Sequence, residues 1–161
     1  MTNREFCLDR RQRERKAFVN VLKAVPQGQL AYRPHPRCRT AGELAWLIAA
    51  EDAALIPLIQ KGSVEWMEVP PPTRVEDIVA EYERNVAAVD QLIARTDDQA
   101  WQKKGRFFFG TPTPWEDTIQ NFVWGFLHDA IHHRGQLSTY LRPMGSKVPS
   151  IYGPSGDDPG R

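Results

Sequence analysis

A chain of 161 residues with 21 basic and 20 acidic side chains has a formal net charge of +1, which writes in neither the basic footprint of a nucleic-acid binder nor a trap for acidic substrates. Its length suffices for one domain, 1–161, with a real core and no disulfide staples. Cys7 and Cys38 lack CxxC spacing and read as reduced thiols. The polar N-terminus and the absence of any apolar run of about 18 residues argue against a leader or a membrane span, so the expected setting is the cytoplasm.

Thr-x-x-Glu precedes a segment of helical periodicity four times, at Thr2/Glu5, Thr40/Glu43, Thr73/Glu76 and Thr113/Glu116. This is the capping-box pattern, in which threonine and glutamate each satisfy a free amide of the first turn. It predicts four helices.

The first helix is expected from about 3 to 25, with Phe18, Val21, Leu22 and Val25 inward. Arg11 and Glu14 share that stripe, and the preferred reading is that the helix start projects beyond the core. Residues 29–39, with Pro34 and Pro36, form a linker in which His35 is given no role. The second helix, about 41–60, turns Leu44, Ile48, Leu55 and Leu58 to one face, with Pro57 near its end. Glu51 falls on that same apolar face. It suits a metal ligand, a general base or, as the preferred reading, half of an ion pair with an arginine of the first or last helix.

Residues 62–72 form a loop that Trp66 and Met67 pack onto the helices. The third helix, about 74–95, carries a clean stripe of Ile78, Val79, Tyr82, Val86, Val89 and Ile93. The aromatic run Phe107-Phe108-Phe109 reads as a short strand-like lid or a loop filling one end. The last helix is expected from Pro114, a residue favoured in a first turn, to about Arg142. The tail, 143–161, is too rich in proline and glycine for a helix, and Ile151 and Tyr152 are placed back on the core.

Chemistry concentrates in His128-Asp129-Ala130-Ile131-His132-His133, where three of the chain's four histidines occur. At about 100° per residue, His133 sits inside the arc made by Trp115, Ile119, Phe122, Phe126, Ala130 and Leu137, with Asp129 at its edge. His128 and His132 project from the other side. Residues four apart share a helix face, so Asp129/His133 and His128/His132 are both chelating pairs by geometry, but only the first faces a core. A buried carboxylate beside a buried imidazole is costly unless paired or metal-bound. An Asp–His hydrogen bond, or an Asp paired with Arg134, meets the same demand without a ligand.

The run His132-His133-Arg134-Gly135-Gln136-Leu137 through Tyr140-Leu141-Arg142, then Val148-Pro149-Ser150-Ile151-Tyr152-Gly153-Pro154-Ser155, resembles the DinB-like (damage-inducible, YfiT-like) family of bacterial metalloproteins. Residues 39–48, with Trp46-Leu47, resemble its second helix. The resemblance implies an all-α four-helix bundle with long inter-helix connections and an irregular tail, a homodimer, and a metal held by one histidine of the second helix and two of the last. His133 matches the last of these. Leu47 and Asp129 stand where the other two histidines are expected.

The implied metal set is therefore Glu51, Asp129 and His133, with His128 and His132 as second choice, holding one divalent ion (Zn, Ni, Mn or Fe) if any. No organic cofactor is implied. His128 and His132 suit a subunit interface, where Trp124, Gly125 and Gly135 allow close approach. The function implied is a metal-dependent transferase or hydrolase of unspecified small-molecule substrate. Its alternative is a non-catalytic, stress-associated binding or scaffold dimer that has lost the metal.

Overall fold

A computed structural model describes residues 1–160. Four long helices dominate it: α1 (Asn3–Lys23), α2 (Ala41–Lys61), α3 (Val75–Arg95) and α5 (Ile119–Leu141), with a one-turn α4 (Asp98–Trp101). Helix α2 packs on α3 and α5, and α1 packs on the same two. The all-α expectation gives way to a mostly helical fold with a small sheet, β1 (Ser63–Glu65), β2 (Lys104–Phe108) and β3 (Trp115–Thr118).

Two of the four capping boxes form. Thr2 and Thr40 each accept from the amide three residues on, and Glu5 and Glu43 answer at the cap amides. The Thr73 box does not form: Arg74 stands at the cap without a side-chain bond, and Gln27 from the loop after α1 takes over. Its Oε1 accepts from the Val75 amide at 2.9 Å and its Nε2 donates to the Thr73 carbonyl at 2.8 Å. A distant side chain has replaced a local one.

The Thr113 box fails for a different reason. Residues 115–118 pair antiparallel with β2, Phe107 opposite Trp115 and Lys104 opposite Thr118, so their backbone groups are committed to a ladder and not to a helix. Helix α5 starts at Ile119, with Thr118 accepting from the Asn121 amide. Trp115, expected on the helix arc, is 45% exposed in the strand. The aromatic run is the strand-like element foreseen, although only Phe107 is buried deeply. Side chains alternate along a strand, which sends Gly105 and Phe107 inward. A Cβ on Gly105 would lie 2.9 Å from Leu58 Cδ1 and 3.0 Å from Ile119 Cδ1, so glycine is what lets the sheet rest on α2 and α5. Strand β1 adds parallel to β2, and Trp66 stacks on Phe107, whereas Met67, expected to pack, is 73% exposed.

The apolar interior falls into two parts. One gathers Phe18, Leu44, Ile48, Tyr82 and Leu137; the other gathers Leu55, Leu58, Val89, Phe107 and Phe122. The interior also buries five polar groups, Arg11, Glu14, Glu51, Asn85 and Arg134. Arg11 and Glu14 do not project beyond the core. The Arg11 guanidinium reaches Asp52 of α2 at 2.6 Å and Asp90 of α3 at 2.7 Å. Arg134 of α5 donates to Glu14 at 2.7 Å and to the Tyr152 hydroxyl at 2.7 Å, and that hydroxyl donates to Glu14 at 3.0 Å. Helix α3, whose stripe reads as purely apolar, thus contributes an ionic partner through Asp90. The tail does return as expected, with Ile151 against the core and Tyr152 on the ion pair.

Leaving one member of a buried pair alone costs more than the pair is worth. Arg134→Ala is expected to lose about 3–5 kcal/mol in urea unfolding, and Glu14→Leu/Arg134→Met to recover at least half of that loss. A double variant no more stable than Arg134→Ala would show that the ion pair is not the source of the cost.

Candidate metal centre

Helix spacing brings Asp129 and His133 of α5 to one face, and α2 lays Glu51 across from them. His133 Nε2 lies 3.3 Å from Asp129 Oδ2 and 3.5 Å from Glu51 Oε1. One ligand atom from each residue falls within 4.8 Å of the others. Glu51 is 5% exposed, and its Oε2 is the one buried side-chain oxygen or nitrogen without a hydrogen-bond partner among the described residues. The Asp129 side chain, 59% exposed, opens the group to solvent.

The expected Glu51–arginine pair is not made. Each candidate arginine is already held elsewhere, Arg11 by Asp52 and Asp90 and Arg134 by Glu14. Left without a cation, Glu51 is pushed up to about 9, first by burial, then by the Asp129 carboxylate, with Asp52 adding to the effect and Arg39 opposing it. Three groups that normally accept protons or metals therefore converge where, among the described residues, no arginine or lysine pairs with them. A proton on Glu51 relieves the crowding in one way, and a divalent cation would relieve it in another.

The His133 ring is oriented by a residue that the sequence reading missed. Gln136 Oε1 lies 3.2 Å from His133 Nδ1, and its amide nitrogen lies 2.9 Å from His132 Nε2. With the Gln136 oxygen accepting from Nδ1–H, the Nε2 lone pair faces the two carboxylates, an arrangement typical of metal-ligating histidine. The signal was available, since Gln136 lies one turn beyond His133. His128 and His132 point outward as the wheel predicts, and the structure brings neither into the Glu51 group. His132 takes part only through Gln136. Leu47, one turn before Glu51, lines a separate cavity of about 800 Å³ with Trp46 and Trp66.

A family model described as the DinB family matches residues 1–159. The chain belongs to the DinB family. Among solved structures, a DinB-like protein of Bacillus cereus is 25% identical with a TM-score of 0.72, over 92% of this chain and 97% of that one. A DinB-like protein of Bacillus subtilis is 14% identical with a TM-score of 0.68, over 88% of this chain and 92% of that one. A mycothiol-dependent maleylpyruvate isomerase shares the fold at 14% identity and a TM-score of 0.61, over 92% of this chain but only 62% of its own. No curated protein matches the sequence. Among the described residues, no helix of this DinB-family chain is long and apolar enough to cross a membrane.

In EDTA, the folded chain holds a proton on Glu51 that the unfolded chain releases above its ordinary value of 4.5. The stability tied to that proton is full below the unfolded value and is lost as pH rises toward about 9. Urea midpoints of the metal-free protein should fall relative to those of Glu51→Gln between pH 5.5 and 8.5 (roughly the window in which only the folded state keeps the proton). Parallel curves for the two proteins would contradict the raised Glu51 value.

Proposed function

We propose that Glu51, Asp129 and His133 hold one divalent cation and that this DinB-family protein is a metal-dependent transferase or hydrolase acting on a small molecule. The observation that carries this reading is the convergence of three ligand atoms within 4.8 Å around a buried, unpartnered Glu51 oxygen. Two carboxylates and one imidazole make a harder set than three histidines, suited to Mn, Fe or Zn and tolerant of Ni. When bound, such an ion supplies Lewis acidity to a substrate oxygen or to a nucleophile.

The chain's own groups perform the remaining tasks. Glu51 releases its proton to bind, Asp129 closes the solvent side, and Gln136 fixes the ring of His133. The mycothiol-dependent isomerase with the same fold supports small-molecule chemistry within it. Asp129→Ala/His133→Ala is expected to abolish metal retention measured by plasma mass spectrometry after incubation with Mn, Fe, Ni or Zn and desalting, with helix content unchanged by circular dichroism. Parental stoichiometry in the double variant would remove these residues from the site.

Leu47, in place of the histidine implied by the resemblance, favours the second reading, a binding or scaffold dimer without metal. Absence of retained metal in the parent protein would select it. For either reading we place a homodimer contact on the outward side of α1 and α5. Phe6 is 42% exposed there and lies 5.8 Å from the Trp124 ring, next to His128, while Gly125 and Gly135 have open space where a Cβ would stand. His128→Glu/His132→Glu should shift sedimentation from dimer toward monomer, and unchanged sedimentation would exclude this face.

A further inference from the structure

A cavity of about 750 Å³ lies between the linker ahead of α2 and the C-terminal half of α5, with His133 in its wall. Arg37, Arg39, His132, His133, Gln136 and Tyr140 line it, and among the described residues no carboxylate does. A concave site whose own lining holds two arginines and no acid favours an anion, with Glu68 on Arg39 and the Glu51 and Asp129 carboxylates behind His133 as the nearest opposing charges. Its lining is also pinned in place. The Arg37 amide donates to His35 Nδ1 at 3.1 Å, the Cys38 amide to the His35 carbonyl at 2.9 Å, and the Ala41 and Gly42 amides to the Tyr32 and Leu30 carbonyls at 2.7 and 2.9 Å. His35, to which the sequence reading gives no role, shapes the turn that presents Arg37.

The two guanidinium groups are available for a ligand. Among the described residues, that of Arg37 has no ion-pair or hydrogen-bond partner. Arg39 meets only Glu68, at 2.7 Å, through one of its nitrogens, with both side chains largely exposed. An exposed pair of this kind is worth little, so exchanging Glu68 for a ligand anion is inexpensive. A guanidinium fork matches carboxylate and phosphate oxygens in pairs.

We propose that this cavity is a subsite for a small organic anion, a carboxylate or a phosphate, bound by Arg37 and Arg39 beside His133. The anion binding stands on the cavity itself. Its catalytic meaning, holding a substrate's charged end against the metal site, rests on the metal reading. A cation held by Glu51, Asp129 and His133 cancels the repulsion of the two carboxylates and tightens the anion, so the two ligands favour one another.

Cys38 provides the test, since it lines the same cavity half-buried whereas Cys7 is 0% exposed. The full chain is alkylated with iodoacetate or with neutral iodoacetamide, in EDTA and with Zn²⁺, and Cys38 is followed by peptide mass spectrometry. The iodoacetate-to-iodoacetamide rate ratio is expected about fivefold higher in the native protein than in urea, the scale of one unit charge near an arginine pair. Arg37→Glu should bring it to the urea ratio or below, and Arg39→Gln should lower it partway. Malonate and inorganic phosphate should slow both reagents, the stronger protector identifying the anion. A native ratio equal to that in urea, a ratio unmoved by Arg37→Glu in a protein of native circular dichroism, or protection by neither anion would overturn the proposal. A raised ratio in EDTA with no Zn²⁺ retained would sink the metal reading and leave the anion subsite standing.

Discussion

Two arginines buried in an apolar interior can be tolerated only where carboxylates meet them in fixed geometry, and that requirement organises this protein. Arg11 draws Asp52 of α2 and Asp90 of α3 to α1, and Arg134 draws Glu14 of α1 and Tyr152 of the tail to α5. All four long helices and the C-terminal segment are thereby tied to one another through two buried guanidinium groups. The Arg134 guanidinium also lies over the Phe18 ring, 4.4 Å from its centre, so its flat face is covered while its edge is hydrogen-bonded. The candidate site follows from the same arrangement by exclusion. Once both arginines are claimed, Glu51 has no ion-pair partner among the arginines and lysines of the described residues, and Asp129 and His133 bring their ligand atoms to it.

The four long helices were legible in the sequence because their signals are local and periodic. The apolar stripes and two of the capping boxes lie within single turns of chain. What failed depended on distant partners. Nothing near Thr73 announces that Gln27 will serve its helix start, and nothing between Trp115 and Thr118 reveals a strand until residues 104–108 are placed beside it. Pro114 and the Thr113/Glu116 spacing satisfy the rules for a helix start, and strand pairing overrode them.

The site was legible in part for the same reason. Wheel geometry brings Asp129 and His133 together and turns His128 and His132 away, because all four lie on one helix. Glu51 could be marked as anomalous, but its environment could not be read, since that depended on which carboxylates captured Arg11 and Arg134. Gln136 was within reach of a one-turn argument. Tyr152 on the Glu14–Arg134 pair was not, being 18 and 138 residues away from its partners. The departures from the three-histidine set implied by the resemblance, at Leu47 and Asp129, are linked by position: in the proposed metal site Glu51, one turn after Leu47, would supply from α2 the ligand atom that Leu47 cannot.

The hairpin between β2 and β3 separates its two ends from its tip. Phe107 and Gly105 anchor one strand on α2 and α5, and Thr118 begins α5 from within the other strand. Between them residues 109–113 are exposed, and Gly110 adopts the left-handed conformation at φ 69°. Neither the sheet register nor the helix start draws on these five residues. The entropy of closing a loop grows only slowly with its length, by roughly 0.6 kcal/mol per doubling. The hairpin tip is therefore where this chain can accept an insertion, a tag or a grafted peptide while the helix carrying Asp129 and His133 keeps its start.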